Sequence, residues 1–292
     1  MQSKDPKTTR NVLITGASRG IGRETALTLA EKGFRVWAGV RDPGVASELE
    51  KEAAHRAGIL HCVRLDVTDE VSRSQAIETI LERDHCIHAL VNNAGIVRLA
   101  YFEDLTLEEI REIFEANLFG AMALTRKVIP VMRPARNGRI VMMSSIGGRI
   151  GSMASTGYAA SKFALEGFSE SLWLELAPLN IHVSIIEPGI VGTDIWDREN
   201  RVAHGARDGS SPYQDWFERA QTLADSLVAS ATVTPRQVAM AVHRALTEPR
   251  PALRYVIGNR AKSVLALRRV LPNWLFEKVY FGQILKRVTG GR

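Results

Sequence analysis

The chain predicts an α/β protein: one domain on a doubly wound parallel sheet of about seven strands, with helices on both faces. Three observations lead there. Short apolar runs alternate with amphipathic helical stretches, and no internal repeat or low-complexity segment interrupts them. The first apolar run passes straight into a glycine-rich turn and then a helical stripe, an order that puts ligands at the carboxyl ends of strands. At 292 residues and 45% apolar content, the chain can bury a large core as one unit.

The run 11–15 is wholly buried in character and leads into Gly16-Ala-Ser18-Arg19-Gly20-Ile21-Gly22. A helix from Arg23 follows, with its stripe at Ala26, Leu27, Leu29 and Ala30. Unpaired N–H groups at such a helix start, with the positive end of its dipole, suit an anion, and glycine lets the backbone come close. Further strands are expected at 34–40, 59–65, 87–91, 138–144, 181–186 and 253–257, with helical segments at 71–82, 107–132 and 159–177 between them. Alternation fails over 189–230, where Trp196, Tyr213, Trp216 and Phe217 sit among charges and glycines, the place for a substrate lid.

Chemistry concentrates at Tyr158 and Lys162. Four residues apart on a helix, they share a face, and a nearby ammonium favours phenolate, which brings the phenol towards the range useful for proton transfer. Ser145 stands thirteen residues upstream, at the end of an apolar run, with Ser144 its nearest competitor.

These pieces, together with Asp66-Val67, Asn92-Asn93-Ala94-Gly95, Asn117 and Pro188-Gly189 followed by Thr193, resemble the short-chain dehydrogenase/reductase family over roughly residues 10–258. Ser161–Gly167, Ile186–Gly189 and Pro251–Tyr255 look most like its hydroxysteroid and retinol dehydrogenase branch. The resemblance implies a Rossmann-type fold and hydride exchange between a nicotinamide cofactor and an alcohol or carbonyl. Tyr158 would be the acid or base, Ser145 the hydroxyl that positions the substrate oxygen, and Lys162 the group that lowers the tyrosine pKa and holds the ribose. Asn117 would anchor a water chain to the lysine. Cofactor contacts are implied at Gly16, Ser18, Arg19, Gly20, Ile21, Gly22, Arg41, Asp66, Val67, Asn93, Ala94, Gly95, Tyr158, Lys162, Pro188, Gly189, Val191 and Thr193.

The strand end that carries an acid in NAD enzymes is Val40 here, followed by Arg41, and Arg19 lies in the turn. NADP(H) is therefore the expected cofactor, with NAD(H) kept open by Asp42, although Pro43 marks Asp42 as a helix cap. Cys62 and Cys86 lack zinc-site spacing, so structural thiols and no metal are expected.

Residues 250–292 hold ten Lys or Arg against one acid, Glu277, whereas the whole chain is +6, so the catalytic body is net negative. We divide the chain at 258. Residues 1–258 form the dinucleotide-binding catalytic domain, and 259–292 form a basic amphipathic extension, a helix over 262–287 that meets the lid, a second subunit or, weakly, a membrane surface. The expected partners are a bulky apolar substrate such as a steroid or retinoid and further copies in a homodimer or homotetramer, without nucleic acid. No secretory leader or membrane span is read from the sequence, so a cytoplasmic location is expected, with at most peripheral membrane contact. The rival readings, a sugar-nucleotide-modifying enzyme and a non-catalytic cofactor-binding regulator, fit less well. The first usually has another glycine spacing, and the second would have lost one of Ser145, Tyr158 and Lys162.

Overall fold

The structure is a computed structural model, and it describes residues 10–192, 201–207 and 209–290. The strands β1 (Asn11–Thr15), β2 (Arg35–Val40), β3 (Ile59–Arg64), β4 (Ala89–Asn92), β5 (Gly138–Met143), β6 (Ile181–Pro188) and β7 (Arg254–Ile257) pair in the order β3-β2-β1-β4-β5-β6-β7. Every pairing is parallel. The order reverses between β1 and β4, which opens a crevice at the strands' carboxyl ends.

Successive strand residues point to opposite faces, and this divides the core in two. Val12 and Ile14 face α1 (Gly20–Glu31), α2 (Ala46–His55) and α8 (Pro235–Thr247), whose apolar residues include Leu27, Leu49 and Val242. Leu13, between them, faces α3 (Glu70–Asp84), α5 (Gly120–Met132) and α6 (Thr156–Leu176), with Ile80, Leu124 and Leu165 among the buried side chains. The near-continuous apolar strands are what a parallel sheet covered on both faces requires.

Each strand matches its expected run to within about two residues. The helix expected over 107–132 is α4 (Leu107–Phe114) and α5 joined by a π turn, Glu115–Phe119. α4 opens with a capping box of Thr106 and Glu109, worth about 1 kcal/mol as caps go.

The tail departs from expectation. Its helix is broken into α9 (Asn259–Val270) and a second segment running through α10 (Asn273–Phe276), a π turn and α11 (Gly282–Thr289). Pro272 lacks an N–H and pushes Leu271 out of helical geometry, to ψ 143°. Part of the stretch expected as a loop-like lid is helical, as α7 (Gln214–Ala229). Thr193 and Trp196 lie outside the described residues.

Candidate active site

A cleft of about 890 Å³ lies along the strands' carboxyl ends, and the glycine turn forms one end of it. Gly16 and Gly20 take φ of +64° and +57°, so the turn needs residues without a Cβ. A Cβ on Gly22 would stand 2.1 Å from the Gly16 carbonyl oxygen and 2.4 Å from Asn93 Nδ2. Arg19 precedes α1 without a side-chain cap, which leaves the first-turn N–H groups to the cleft. Thr15 Oγ1 accepts hydrogen bonds from the N–H groups of Asn93 and Ala94, both at 2.9 Å, and so stitches the end of β1 to the turn after β4. Sequence reasoning missed this role of Thr15, since a threonine at a strand end carries no distinctive signal. These features fit a dinucleotide: a pyrophosphate would meet the backbone cradle, and the cleft runs on from it.

Arg19 and Arg41 are exposed on the cleft's rim. Asp42 does not line the cleft; its carboxylate accepts from Gly44 N–H at 2.8 Å and caps the short turn that Pro43 begins. Burial tends to raise the Asp66 carboxyl. Hydrogen bonds from Thr68 and the charges of Arg41 and Arg73 outweigh that and hold it below its usual value.

At the other end, Ser145 caps the turn Ile146–Gly148, its Oγ accepting from Gly147 N–H at 3.1 Å, while α6 brings up Tyr158 and Lys162. All three line the cleft. Lys162 is almost fully buried and donates to the Met143 carbonyl at 2.8 Å, its Nζ 5.8 Å from the Tyr158 ring centroid. One expectation is reversed here. Burial pushes the Tyr158 phenol up, opposed by a hydrogen bond with Ser145, and burial lowers Lys162 itself to about 8. The ammonium lies over the ring face, and the desolvation of phenolate dominates.

Of the expected cofactor contacts, Gly16, Ser18, Arg19, Gly20, Ile21, Gly22, Arg41, Asp66, Val67, Asn93, Ala94, Gly95, Pro188, Gly189 and Val191 all line the same cleft. Asn117 does not. From the π turn its Oδ1 accepts from Ile96 N–H at 2.7 Å, and its Nδ2 donates to the Ile96 carbonyl and to Ser161 Oγ. It braces the Asn93–Gly95 turn from behind, and π turns often mark functional positions. Ser161, its partner on α6, was also missed, because its place between Tyr158 and Lys162 gives no sign of what it touches.

The described aromatic residues of 189–230 stand away from the cleft. Tyr213 stacks on Tyr101 at 4.8 Å, Trp216 lies tilted against both, and Phe217 is buried; none of them lines the cleft. A small apolar cluster that includes Val97, Leu99, Ala154, Ala203 and Phe217 packs against Tyr158 instead.

The site's ordered residues carry the family. Residues 10–203 match the model of the short chain dehydrogenases, and the chain belongs to that family, with the retinol dehydrogenase-like members among its relatives. It is 34% identical to an uncharacterized oxidoreductase, YbbO, of Escherichia coli, over 94% of each chain. Human retinol dehydrogenase 8 is 36% identical, over 89% of this chain and 85% of its own. A solved short-chain dehydrogenase from Streptomyces avermitilis superposes with a TM-score of 0.77 at 31% identity, covering 94% of this chain and 99% of that one. The protein is thus an oxidoreductase of this family with a nucleotide-binding, Rossmann-type fold. Among the described residues, no helix is long and apolar enough to cross a membrane.

Proposed function

We propose that the protein is an NADP(H)-dependent oxidoreductase that interconverts an alcohol and its carbonyl. The observation that carries this reading is the convergence of Ser145, Tyr158 and Lys162 on one wall of the cleft that the glycine turn closes. A bound nicotinamide supplies or accepts the hydride. Tyr158 gives a proton to the substrate oxygen in reduction and takes it back in oxidation. Because Ser145 Oγ already accepts from Gly147 N–H, its own proton is available for the phenol or the substrate oxygen. Lys162, fixed by the Met143 carbonyl, holds the nicotinamide ribose, and Asn117 braces the turn beside it. Thr193 is assigned to the carboxamide.

The NADP(H) preference is supported by two arginines on the rim, by Val40 where an acid would repel a 2′-phosphate, and by Asp42 being engaged as a cap. A bulky apolar substrate is supported by the apolar cluster against Tyr158 and by the retinol named for the human relative. Residues 259–292 we treat as an extension of the catalytic body that packs on the lid helix, where Arg219 donates to the Val288 carbonyl. Exposed Val270, Trp274 and Leu285 among its basic residues leave a face for a second subunit or an anionic lipid surface. A cofactor-oxidation screen of steroids, retinoids, fatty aldehydes and aryl ketones with NADPH and NADH tests the reading. Turnover of an apolar carbonyl with NADPH supports it, and turnover only of sugar nucleotides, or preference for NADH, counts against it.

A further inference from the structure

The three segments that set the chain's branch resemblance are far apart in sequence, yet their charged residues meet. Glu166 of α6, Glu187 of β6 and Arg254 of β7 form one buried cluster behind the catalytic lysine. Arg254 reaches Glu166 Oε2 at 3.0 Å and Glu187 Oε1 at 2.9 Å, and also Glu170 at the solvent side. Arg149, four residues after Ser145, pairs with the same Glu187 oxygen at 3.0 Å, and Arg268 of α9 donates to the Arg149 carbonyl. Glu166 and Lys162, one helical turn apart, are each only 5% exposed.

Arg254 engages Glu166 Oε2 but leaves Oε1, which is buried, without a hydrogen-bond partner among the described residues, and the Lys162 ammonium is the buried cation one turn away on the same helix. The packing leaves no slack. A Cβ on Gly148 would stand 2.7 Å from Ser144 Oγ, 3.0 Å from the Lys162 carbonyl oxygen and 3.1 Å from Glu166 Cγ. An unpaired buried ion is strongly unfavourable, so charge on either of the two favours charge on the other.

We propose that Glu166, gripped by Arg254, is a positioning residue that keeps Lys162 charged and seated, and that the shared ion cluster ties the catalytic helix to the Ser145 loop and the last strand. This rests on the assignment of Lys162 to the cofactor ribose. The charged and polar groups facing Glu166 are Lys162 and Glu170 on its own helix, Ser144 at the end of β5, Glu187 and Arg254; burial pushes its carboxyl up and Glu187 adds to that, while Ser144 and Arg254 favour the ionised form. Glu166 in turn favours the charged lysine, against burial.

The test is the pH dependence of NADPH and NADH binding, followed by fluorescence on the full chain, which needs no substrate. Binding should weaken as Lys162 loses its proton. In Glu166→Gln, which keeps the volume, that alkaline limb should move to lower pH by on the order of one unit. Glu166→Asp should return it towards wild type, and Glu170→Gln should leave it in place. A Glu166→Gln limb at the wild-type pH, with only the melting temperature lowered, would overturn the proposal. If the Gln variant does not fold, Arg254→Lys, which loosens the grip on both glutamates, is read the same way: a shifted limb supports the proposal and an unshifted one overturns it. A wild-type protein that binds neither dinucleotide at any pH would defeat the oxidoreductase reading itself, which separates the two failures.

Discussion

The two ends of the cleft are made of different materials. At the nucleotide end the site is backbone: glycines at positive φ, uncapped N–H groups and a Thr15 hydroxyl that joins two strand ends. At the catalytic end it is side chains whose behaviour burial sets, as with the raised Tyr158 and the lowered Lys162. The first end fails when an atom is added, the second when a functional group is removed. Such a division lets one cofactor cradle serve many chemistries by exchanging what faces it.

The largest effect should come from Tyr158→Phe, which deletes the proton donor and leaves the cradle untouched. Turnover should fall by at least ~10²-fold with cofactor affinity nearly unchanged. Near-normal turnover would mean that the catalytic end is misassigned. Gly22→Ala is the opposite stroke. Its Cβ has no room beside the Gly16 carbonyl, so dinucleotide binding should be lost with the fold weakened by ~1–3 kcal/mol. Retained binding in calorimetry would show that the cradle is not where the dinucleotide sits.

Arg41→Ala sharpens the cofactor assignment. Charge-assisted bonds to a phosphate contribute about 1.5–3 kcal/mol, so NADPH affinity should drop roughly ten- to hundredfold while NADH affinity barely changes. Equal losses for both would remove the argument for a 2′-phosphate.

A smaller effect concerns stability. Lys162 is lowered to about 8 from 10.5, so between these values the unfolded chain holds a proton that the folded chain has released. Stability should therefore rise with pH across that window, and Lys162→Met should flatten the rise in denaturant titrations made at several pH values below 10. A wild-type curve falling from pH 8 would contradict the lysine's burial. Least should happen in Asp42→Ala, with ~1 kcal/mol lost from the cap and no change in the ratio of NADPH to NADH affinity. A selective loss of NADH affinity would instead make Asp42 a ribose ligand.

The backbone end was the more legible in sequence. Glycine spacing after an apolar strand states its own geometry, and Gly16, Gly20 and Gly22 stand where the turn requires them. The strands were readable because parallel sheets bury continuous apolar runs. What escaped was whatever depends on distant partners. The ion pair of Glu166 and Arg254 spans 88 residues, and the spacing of Tyr158 and Lys162 gave no sign of the burial that raises the phenol and lowers the ammonium. The π turn at Asn117 leaves no compositional mark. The break at Pro272 was available from the sequence, since proline cannot continue a helix, but the apolar stripe on both sides of it hid the interruption.

The most direct test of the central claim follows the hydride itself. Wild-type protein is given NADPH deuterated at the transferring position of the nicotinamide together with an apolar ketone that it turns over, and the alcohol is analysed by mass spectrometry. We predict deuterium on the carbinol carbon, and no product above background from Tyr158→Phe, which still binds the cofactor. Oxidation of the cofactor without deuterium in the product would contradict hydride transfer at this site.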